Sequence, residues 1–269
     1  MELTVSSEIY AETDFDPVKT DNGNVISKFR FFSPPEKVSD LDKDGDLDVK
    51  RKEQKIIAIE HSASTVLKLV GLQVWRGALL LADFLFHCRG DISNKNILEL
   101  GSGVGLTSIT AAMFAKTVVC TDINVGGILD LIRNNIEKNK RFLKCDIAVL
   151  ELNFKSEKFE ENLEKYIEEC DIVLAADVIY DDDLTESFVF TLDKLLNKER
   201  YKRRKIIYIA LEKRYVFTTS DVDLCPPCYD FFLQMIAKKS WKVENVAIDF
   251  PQFFIYERCK ELVLLKISH

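Results

Sequence analysis

Residues 96–106 read Asn96-Ile-Leu-Glu-Leu-Gly-Ser-Gly-Val-Gly-Leu106, and this stretch decides the predicted fold. The apolar run at Ile97, Leu98 and Leu100 is typical of a strand that is buried on both faces. Three glycines follow it at once, and a helical pattern begins at Leu106. Because glycine adopts backbone angles that other residues avoid, such a turn leaves bare backbone against which a ligand can lie. A strand, a glycine turn and a helix in this order predict a doubly wound α/β sheet that holds a nucleotide-like cofactor at its carboxyl edge.

The spacing of the glycines narrows the choice of cofactor. A dinucleotide fingerprint requires G-x-G-x-x-G, but Leu106 or Ser108, depending on the register, stands in place of the third glycine. The Gly-Lys-Ser/Thr of a P-loop does not occur after these glycines. Glu99 lies two positions before the first glycine, and Asp122 ends the next apolar run, 17 positions after Gly105. This is close to the ~20-residue spacing at which an acid binds ribose hydroxyls. The alternative is a non-binding turn of the same fold with a surface acid.

Composition and charge limit the classes of partner. The chain has 269 residues, of which 47% are hydrophobic, enough for one sizeable core and a small appendage. The net charge of −7 and the pI of about 5.2 argue against direct binding of nucleic acid phosphates, and they are compatible with a basic protein or peptide as substrate. We see no secretory leader and no apolar run of ~18 residues, so we expect a soluble intracellular protein without membrane contact.

Two segments precede the main domain. Residues 1–32 carry a mild β pattern around a turn at residues 21–24 and predict a small N-terminal β extension, with the segment 2–5 and the segment 25–32 forming a hairpin. Residues 33–55 are Pro-rich and then charge-rich, which is typical of a linker. Within this linker, residues 40–46 match the first half of an EF-hand calcium loop, but position twelve is Arg51 instead of a bidentate Glu, so we expect no calcium binding.

From residue 56 to residue 269 the pattern is that of one α/β domain. A helix is predicted over residues 72–86, with Trp75 on its apolar face, and from residue 96 strands alternate with helices. This rhythm predicts a Rossmann-like, doubly wound, seven-stranded sheet that is mainly parallel, with a C-terminal antiparallel strand. The predicted strands are 96–101, 117–122, 146–151, 171–176, 205–211, 243–249 and 261–267, and the predicted helices are 104–115, 125–140, 157–169, 184–197 and 227–239.

A family resemblance rests on these glycines and on four further stretches. The form Glu-x-Gly-x-Gly-x-Gly resembles motif I of the S-adenosylmethionine-dependent methyltransferases. Trp75 upstream, Leu152-Asn-Phe154 after the third strand, Asp177-Val-Ile-Tyr180 after the fourth and Glu212-Lys-Arg214 after the fifth are together similar to the family 16 methyltransferases. The resemblance covers residues 56–269 and extends weakly into the linker. These are seven-strand (class I) enzymes that mostly methylate lysine side chains of non-histone proteins.

The resemblance implies a protein-lysine N-methyltransferase that uses S-adenosyl-L-methionine and releases S-adenosyl-L-homocysteine. It implies Asp177 and Tyr180 as catalytic residues, with Asp177 orienting the amine or the methionine end of the cofactor and Tyr180 lining the lysine channel. One departure is that Asn153 and Phe154 stand where the family usually has Asp and Trp, which keeps the aromatic ring and loses the acid. The implied cofactor-binding residues are Trp75, Glu99, Gly101, Gly103, Gly105, Asp122, Asn153, Phe154 and Ala176.

Several alternatives stay open on the sequence alone. Asp177 is also compatible with a plain cap, and Trp75 and Tyr180 with core positions. Asp181 and Asp182 are interpreted either as an attractor for a basic peptide or as helix-capping residues, whereas Asp183 is predicted to be the N-cap of the following helix because Glu186 completes a capping box.

Alternatives also concern the acceptor. It is predicted to be lysine, with arginine, histidine or a small molecule as alternatives, and a catalytically silent binding module is the rival from another class. The resemblance further implies a nuclear, nucleic-acid-binding protein as substrate, and thus a location in nucleus and cytoplasm. The pair Cys225 and Cys228 has no second pair, so no zinc site is predicted, and the two prolines between these cysteines favour a helix start.

Overall fold

The computed structural model describes residues 4–33, 53–218 and 223–269. The partial calcium loop at residues 40–51 lies outside the described residues.

The N-terminal part forms short elements that pack on the main domain. β3 pairs antiparallel with β2 and with β4, so the turn predicted at residues 21–24 does join two strands. The prediction that segment 2–5 shares this hairpin is wrong, because β1 pairs with β5 instead. Phe29 and Ile57 are fully buried in the same core as the main helices. The elements are β1 (Thr4–Val5), α1 (Ile9–Glu12), β2 (Val18–Lys19), β3 (Val25–Phe32), β4 (Gln54–His61) and β5 (Thr65–Val66).

The helix predicted from residue 72 begins four residues later, as α2 (Arg76–His87), and is followed by the short α3 (Arg89–Ile92). The prediction that Trp75 lies on the face of this helix is therefore wrong: its backbone is extended, with φ −119° and ψ 159°. Hydrogen bonds hold residues 73–75 in this extended form. The Gln73 amide group donates to the carbonyl of Val5 at 3.0 Å, and the Trp75 indole N–H donates to the carbonyl of Val70 at 2.9 Å.

The expectation that the chain has no long apolar run is also wrong. Leu67–His87 has 21 residues, and its most apolar 18-residue window has a mean hydropathy of 1.5, enough by length and composition to cross a membrane. However, 78% of its most apolar window is buried inside the protein, and the extended residues 73–75 interrupt it. The stretch is a core segment of this fold, and core helices satisfy the same criteria of length and composition.

The central sheet has seven strands in the order β13-β14-β10-β9-β6-β7-β8. Strands β6 to β10 run parallel to one another, whereas β14 runs antiparallel to β10 and β13 runs antiparallel to β14. The predicted fold class is thus confirmed. The strands after residue 95 are β6 (Asn96–Leu100), β7 (Thr117–Asp122), β8 (Ile147–Glu151), β9 (Ile172–Ala176), β10 (Ile206–Glu212), the separate hairpin β11 (Val216–Thr218) and β12 (Asp223–Cys225), β13 (Lys242–Asn245) and β14 (Leu262–Ser268).

Helices cover both faces of the sheet, which gives the domain two apolar cores. One core packs α2, α4 and α5 together with β3 and β4, and the other packs α6, α7 and α8. The strand order reverses between β6 and β9: the chain runs outward from β6 to β8 and then returns to β9 on the other side. A crevice opens beyond the carboxyl ends of two such strands, and ligands bind there in open α/β sheets. The remaining helices are α4 (Leu106–Ala111), α5 (Ile128–Asn139), α6 (Glu161–Glu169), α7 (Asp182–Leu195) and α8 (Pro227–Ile236).

Candidate functional site

A pocket lies at the carboxyl edge of the sheet, at this reversal of strand order. The glycine turn after β6 forms its floor, the ends of β7, β8 and β9 form its sides, and residues 68–75 form its outer wall. The structure brings all the predicted site residues except Gly105 to the lining of this pocket. Those that line it are Trp75, Glu99, Gly101, Gly103, Asp122, Asn153, Phe154, Ala176, Asp177 and Tyr180.

The turn after β6 depends on the absence of side chains at its glycines. Gly101 and Gly103 have φ of +61° and +55°, in the left-handed region that favours glycine. A Cβ atom on Gly103 would lie 2.9 Å from the carbonyl oxygen of Gly71, so the outer wall passes directly over the turn. Gly105, which does not line the pocket, has φ +88° and lies immediately before α4. These glycines let turn and wall approach closely around the pocket.

Two carboxylates lie beside this turn in different environments. Glu99 is 1% exposed, its Oε2 accepts a hydrogen bond from the Ser108 hydroxyl, and its Oε1 has no hydrogen-bond partner among the described residues. Burial raises the pKa of Glu99 to about 8. Asp122 accepts hydrogen bonds from the backbone N–H of Gly103 at 2.8 Å and of Ile123 at 2.7 Å, and burial raises its pKa to about 6. The unpaired Glu99 oxygen is a place where a ligand with an N–H or O–H donor fits.

Asp177 follows β9 at the mouth of the pocket, and the fold holds it in a fixed orientation. Its φ of +50° is unusual for a residue with a side chain. Its Oδ2 accepts from the Gly77 N–H at 2.6 Å, in the first turn of α2, and its Oδ1 accepts from the Glu212 N–H at 2.9 Å, at the end of β10. Burial raises its pKa to about 6. Asp177 is therefore a capping residue, which was one of the alternatives left open by the sequence. It caps α2 and not the helix that follows it in the chain. It also lines the pocket.

Aromatic side chains complete the mouth. The Arg214 guanidinium lies 4.8 Å from the centre of the Trp75 ring, so this ring attracts a cation at one face. Burial raises the pKa of Tyr180 to about 12, so the Tyr180 phenol is neutral at ordinary pH. Phe154 is 7% exposed and packs against Phe188 with ring centres 5.4 Å apart. The rings of Trp75, Phe154 and Tyr180 thus give apolar lining to the same pocket as the carboxylate of Asp177.

Comparison with known proteins agrees with this architecture. The family described as lysine methyltransferase matches residues 51–223, which is more than half of the chain. The chain belongs to this family. The matched range contains every residue that lines the pocket, whereas the N-terminal elements up to β3 lie outside it.

Individual relatives give the same picture. The chain is 36% identical to methyltransferase-like protein 22 of Mus musculus over 245 residues, which is 83% of this chain and 62% of that protein. The Homo sapiens protein of the same name is 36% identical over 234 residues, covering 79% and 57%. Protein-lysine methyltransferase METTL21E of Mus musculus is 33% identical over 164 residues, covering 60% and 64%. The chain thus spans about six-tenths of the length of the two relatives named methyltransferase-like protein 22.

Sequence reasoning named Glu212 and Arg214 but missed the ion pairs that they form beside Asp177. The Arg76 guanidinium, which is 6% exposed, forms ion pairs with Glu12 of α1 and with Glu212 of β10. Arg214 pairs with Glu8 at 3.0 Å. Two signals were available: the stretch Glu212-Lys-Arg214 after the fifth predicted strand, and a charged residue, Arg76, at the start of an apolar helix. Its partners lie 64 and 136 positions away, and no local pattern connects them to it.

The acidic run after Tyr180 caps a helix. Asp181 is the N-cap of α7, and its side chain accepts a hydrogen bond from the Leu184 N–H at 2.9 Å. The prediction that Asp183 is the N-cap is wrong, because Asp181 has the extended backbone of an N-cap and Asp183 already lies within the first turn. Asp181, Asp182 and Asp183 are all exposed, and they lie in the chain between Tyr180 and Leu184, which line the pocket.

The two cysteines lie beside α8. Its N-cap is Pro226 and its first residue is Pro227, so the predicted helix start is confirmed. In the described ranges, no group of three or more His, Cys, Asp or Glu side chains has an arrangement that could hold a metal ion.

Proposed function

We propose that this chain is a protein-lysine N-methyltransferase that takes its methyl group from S-adenosyl-L-methionine. The observation that carries the proposal is the lining of one pocket: it combines a glycine turn with Glu99 and Asp122 beside it, aromatic rings, and the carboxylate of Asp177 held by two backbone N–H donors. Membership of the lysine methyltransferase family supports the same reaction.

The residues present fit this cofactor. The unpaired Oε1 of Glu99 suits the amino group of the methionine end, and Asp122 after β7 suits the ribose hydroxyls. Phe154 lines the pocket as an apolar surface for the adenine, with Asn153 beside it. When bound, the cofactor supplies an electrophilic methyl on a sulfonium. Holding the acceptor nitrogen in line with this methyl supplies most of the rate, and the reaction needs no metal.

The mouth prepares the acceptor. A lysine ammonium has an ordinary pKa near ~10.4 and must lose a proton before its nitrogen can attack. The rings of Trp75 and Tyr180 desolvate the amine, which favours its neutral form. Asp177 is ionised above a pKa of about 6 and accepts hydrogen bonds, so it orients the amine at neutral pH. The proton leaves to solvent, and Trp75, Tyr180 and Asp177 hold the neutral amine for the methyl group that the bound cofactor would supply.

We also propose that the acceptor lysine lies in a basic segment of a nuclear, nucleic-acid-binding protein, and that this chain works in the nucleus and the cytoplasm. The net charge of −7 and the exposed acids Asp182 and Asp183, beside Leu184 of the pocket lining, favour a basic partner. Proximity labelling by the tagged full-length protein in cells, with fractionation, tests this part. Enrichment of acidic cytoplasmic proteins alone would contradict it.

Two measurements test the reaction. S-adenosyl-L-homocysteine should raise the melting temperature of the protein by mass action, and Asp122→Ala should reduce this shift because it removes the carboxylate that binds ribose. Transfer of a labelled methyl group into a cell lysate, followed by mass spectrometry, should then locate the label on lysine. Asp177→Ala should remain folded and lose most of this transfer. Label on arginine, histidine or a small molecule, or no transfer to any acceptor, would contradict the proposal.

A further inference from the structure

The segment Thr4–Glu12 lies outside the range that matches the family, yet it packs firmly on the pocket. Ile9 is fully buried, and Phe15, three residues after this segment, is 3% exposed against Phe29, with ring centres 4.6 Å apart. These apolar contacts fix the position of α1 on the main domain. The polar groups of the segment are therefore presented to the domain in a defined geometry.

One set of these polar groups holds the outer wall of the pocket. The backbone N–H of Ser7 donates to Gln73 Oε1 at 2.9 Å, and the Gln73 amide donates to the Val5 carbonyl at 3.0 Å. The Val74 N–H donates to the Tyr10 hydroxyl at 2.9 Å. Gln73 and Val74 both line the pocket, and they belong to the extended stretch that passes over the glycine turn. The segment thus supplies the hydrogen bonds that keep this wall extended.

A second set of contacts connects the segment Thr4–Glu12 to Asp177. Glu12 pairs with one nitrogen of the Arg76 guanidinium, and Glu212 pairs with another. The residue after Arg76 is Gly77, and the N–H groups of Gly77 and of Glu212 are the two donors to Asp177. The ion pair between Arg76 and Glu212 therefore joins the two backbone segments that hold the Asp177 carboxylate. Glu12 is the second carboxylate on the same guanidinium, with only 18% of its side chain exposed.

We propose that the segment Thr4–Glu12 is a working part of the site, with two separable tasks. Tyr10 positions the wall over the cofactor, and Glu12, acting through Arg76 and Glu212, positions Asp177 for the acceptor amine. Both are positioning residues, since neither lines the pocket. The inference rests on the proposed methyl transfer and adds to it two residues that the family match does not cover.

Two substitutions on the same helical turn should give opposite kinetic results. Glu12→Gln keeps the shape of the side chain and removes its charge, so Arg76 keeps only one of its two carboxylate partners. The backbone segments at Gly77 and Glu212 are then held less firmly, and so is the Asp177 carboxylate that they bind. We expect kcat to fall about tenfold while the Kd for S-adenosyl-L-homocysteine stays within about twofold. Tyr10→Phe leaves the Val74 N–H without its acceptor and loosens the wall. We expect the Kd for S-adenosyl-L-homocysteine to rise about fivefold, with kcat at saturating cofactor within about twofold.

The matched control is Asp14→Asn in the same stretch of chain. Asp14 is exposed, and among the described residues its carboxylate accepts a hydrogen bond from the N–H of Asp16 alone, so this variant should match wild type in both measurements. Urea unfolding of all four proteins separates positioning from stability. If the two test variants lose kcat and affinity in equal proportion, or if both match wild type, the segment only contributes to folding and the inference is wrong. If wild type itself binds no S-adenosyl-L-homocysteine and transfers no methyl group, the proposed function has failed instead.

Discussion

Replacing Gly77 tests the contact between α2 and Asp177 most directly. A Cβ atom at this position would lie 2.6 Å from Asp177 Oδ2, 2.8 Å from its Cγ and 2.9 Å from the carbonyl oxygen of Ala210. Real Cβ atoms essentially never approach another atom this closely, and one of these neighbours is backbone. Gly77→Ala must therefore displace either the start of α2 or the carboxylate.

The loss of stability expected for Gly77→Ala follows from the interactions that this change disturbs. A hydrogen bond to an ionised carboxylate contributes ~1.5–3 kcal/mol, and forced overpacking costs ~1–3 kcal/mol. The better helix propensity of alanine returns ~1 kcal/mol. We expect Gly77→Ala to lower the free energy of unfolding by about 2–4 kcal/mol, seen as a lower urea midpoint with an unchanged slope. Methyl transfer should fall as well, because the same change moves Asp177.

Gly90→Ala is the matched control, since Gly90 also lies near the start of a helix, α3, and a Cβ atom there would meet nothing within 4 Å. This variant should be unchanged or more stable by up to ~1 kcal/mol. Equal urea midpoints for the two alanine variants would refute the close packing of Asp177 on α2, and with it the explanation of how Asp177 is held.

Three further changes test other parts of the protein. Asp83→Ala leaves Arg258, whose side chain is 16% exposed, without its carboxylate and should cost ~3–5 kcal/mol in urea unfolding, whereas Asp130→Ala in an exposed ion pair should cost less than ~0.5 kcal/mol. Asp181→Ala removes the cap of α7 and should cost ~1 kcal/mol, whereas Asp181→Asn keeps a capping oxygen and should cost only a few tenths. Burial raises the pKa of Glu99 to about 8, so its contribution to stability is present below pH 4.5 and lost as pH rises through 8. Glu99→Gln should therefore flatten the fall in urea stability between these two pH values.

Each of these outcomes can fail in a recognisable way. An Asp83 variant as stable as the Asp130 variant would show that the ion pair between Asp83 and Arg258 contributes nothing to the free energy of unfolding. Equal costs for alanine and asparagine at Asp181 would indicate that charge, not capping, is what matters there. A Glu99 variant with the pH dependence of wild type would place the titration that controls stability at other groups.

The sequence was sufficient for the sheet because the relevant signals are local. The glycine turn after β6, the apolar runs of the strands and the alternation with helices each occupy a short window of the sequence. The location of the pocket could be predicted from the same sheet. Parallel strands bring their carboxyl ends to one edge, so Glu99, Asp122, Phe154 and Asp177 converge although they span nearly 80 residues.

The errors arose where distant residues override a local pattern. Residues 73–75 continue the apolar periodicity of α2, but hydrogen bonds to the Val5 carbonyl and the Tyr10 hydroxyl, and one from the Ser7 N–H, keep them extended. The capping-box pattern favoured Asp183, but the chain leaves β9 in a conformation that makes Asp181 the N-cap. The N-terminal partners of Gln73 and Val74 lie 64 to 68 positions away, so no window of fifteen residues contains them.

The same reasoning explains why Asp177 is aspartate and why it lies where it does. A residue at φ +50° is strained unless it is glycine, asparagine or aspartate, and glycine would provide no acceptor for the N–H groups of Gly77 and Glu212. Asparagine has one acceptor oxygen, whereas these two donors meet two different oxygens. Aspartate alone satisfies the backbone angle and both donors. Its charge, held beside the pocket mouth at a pKa of about 6, is then present at neutral pH without any further group to create it. The requirement of the fold and the proposed role toward the amine thus select the same side chain, so substitution here should affect stability and methyl transfer together.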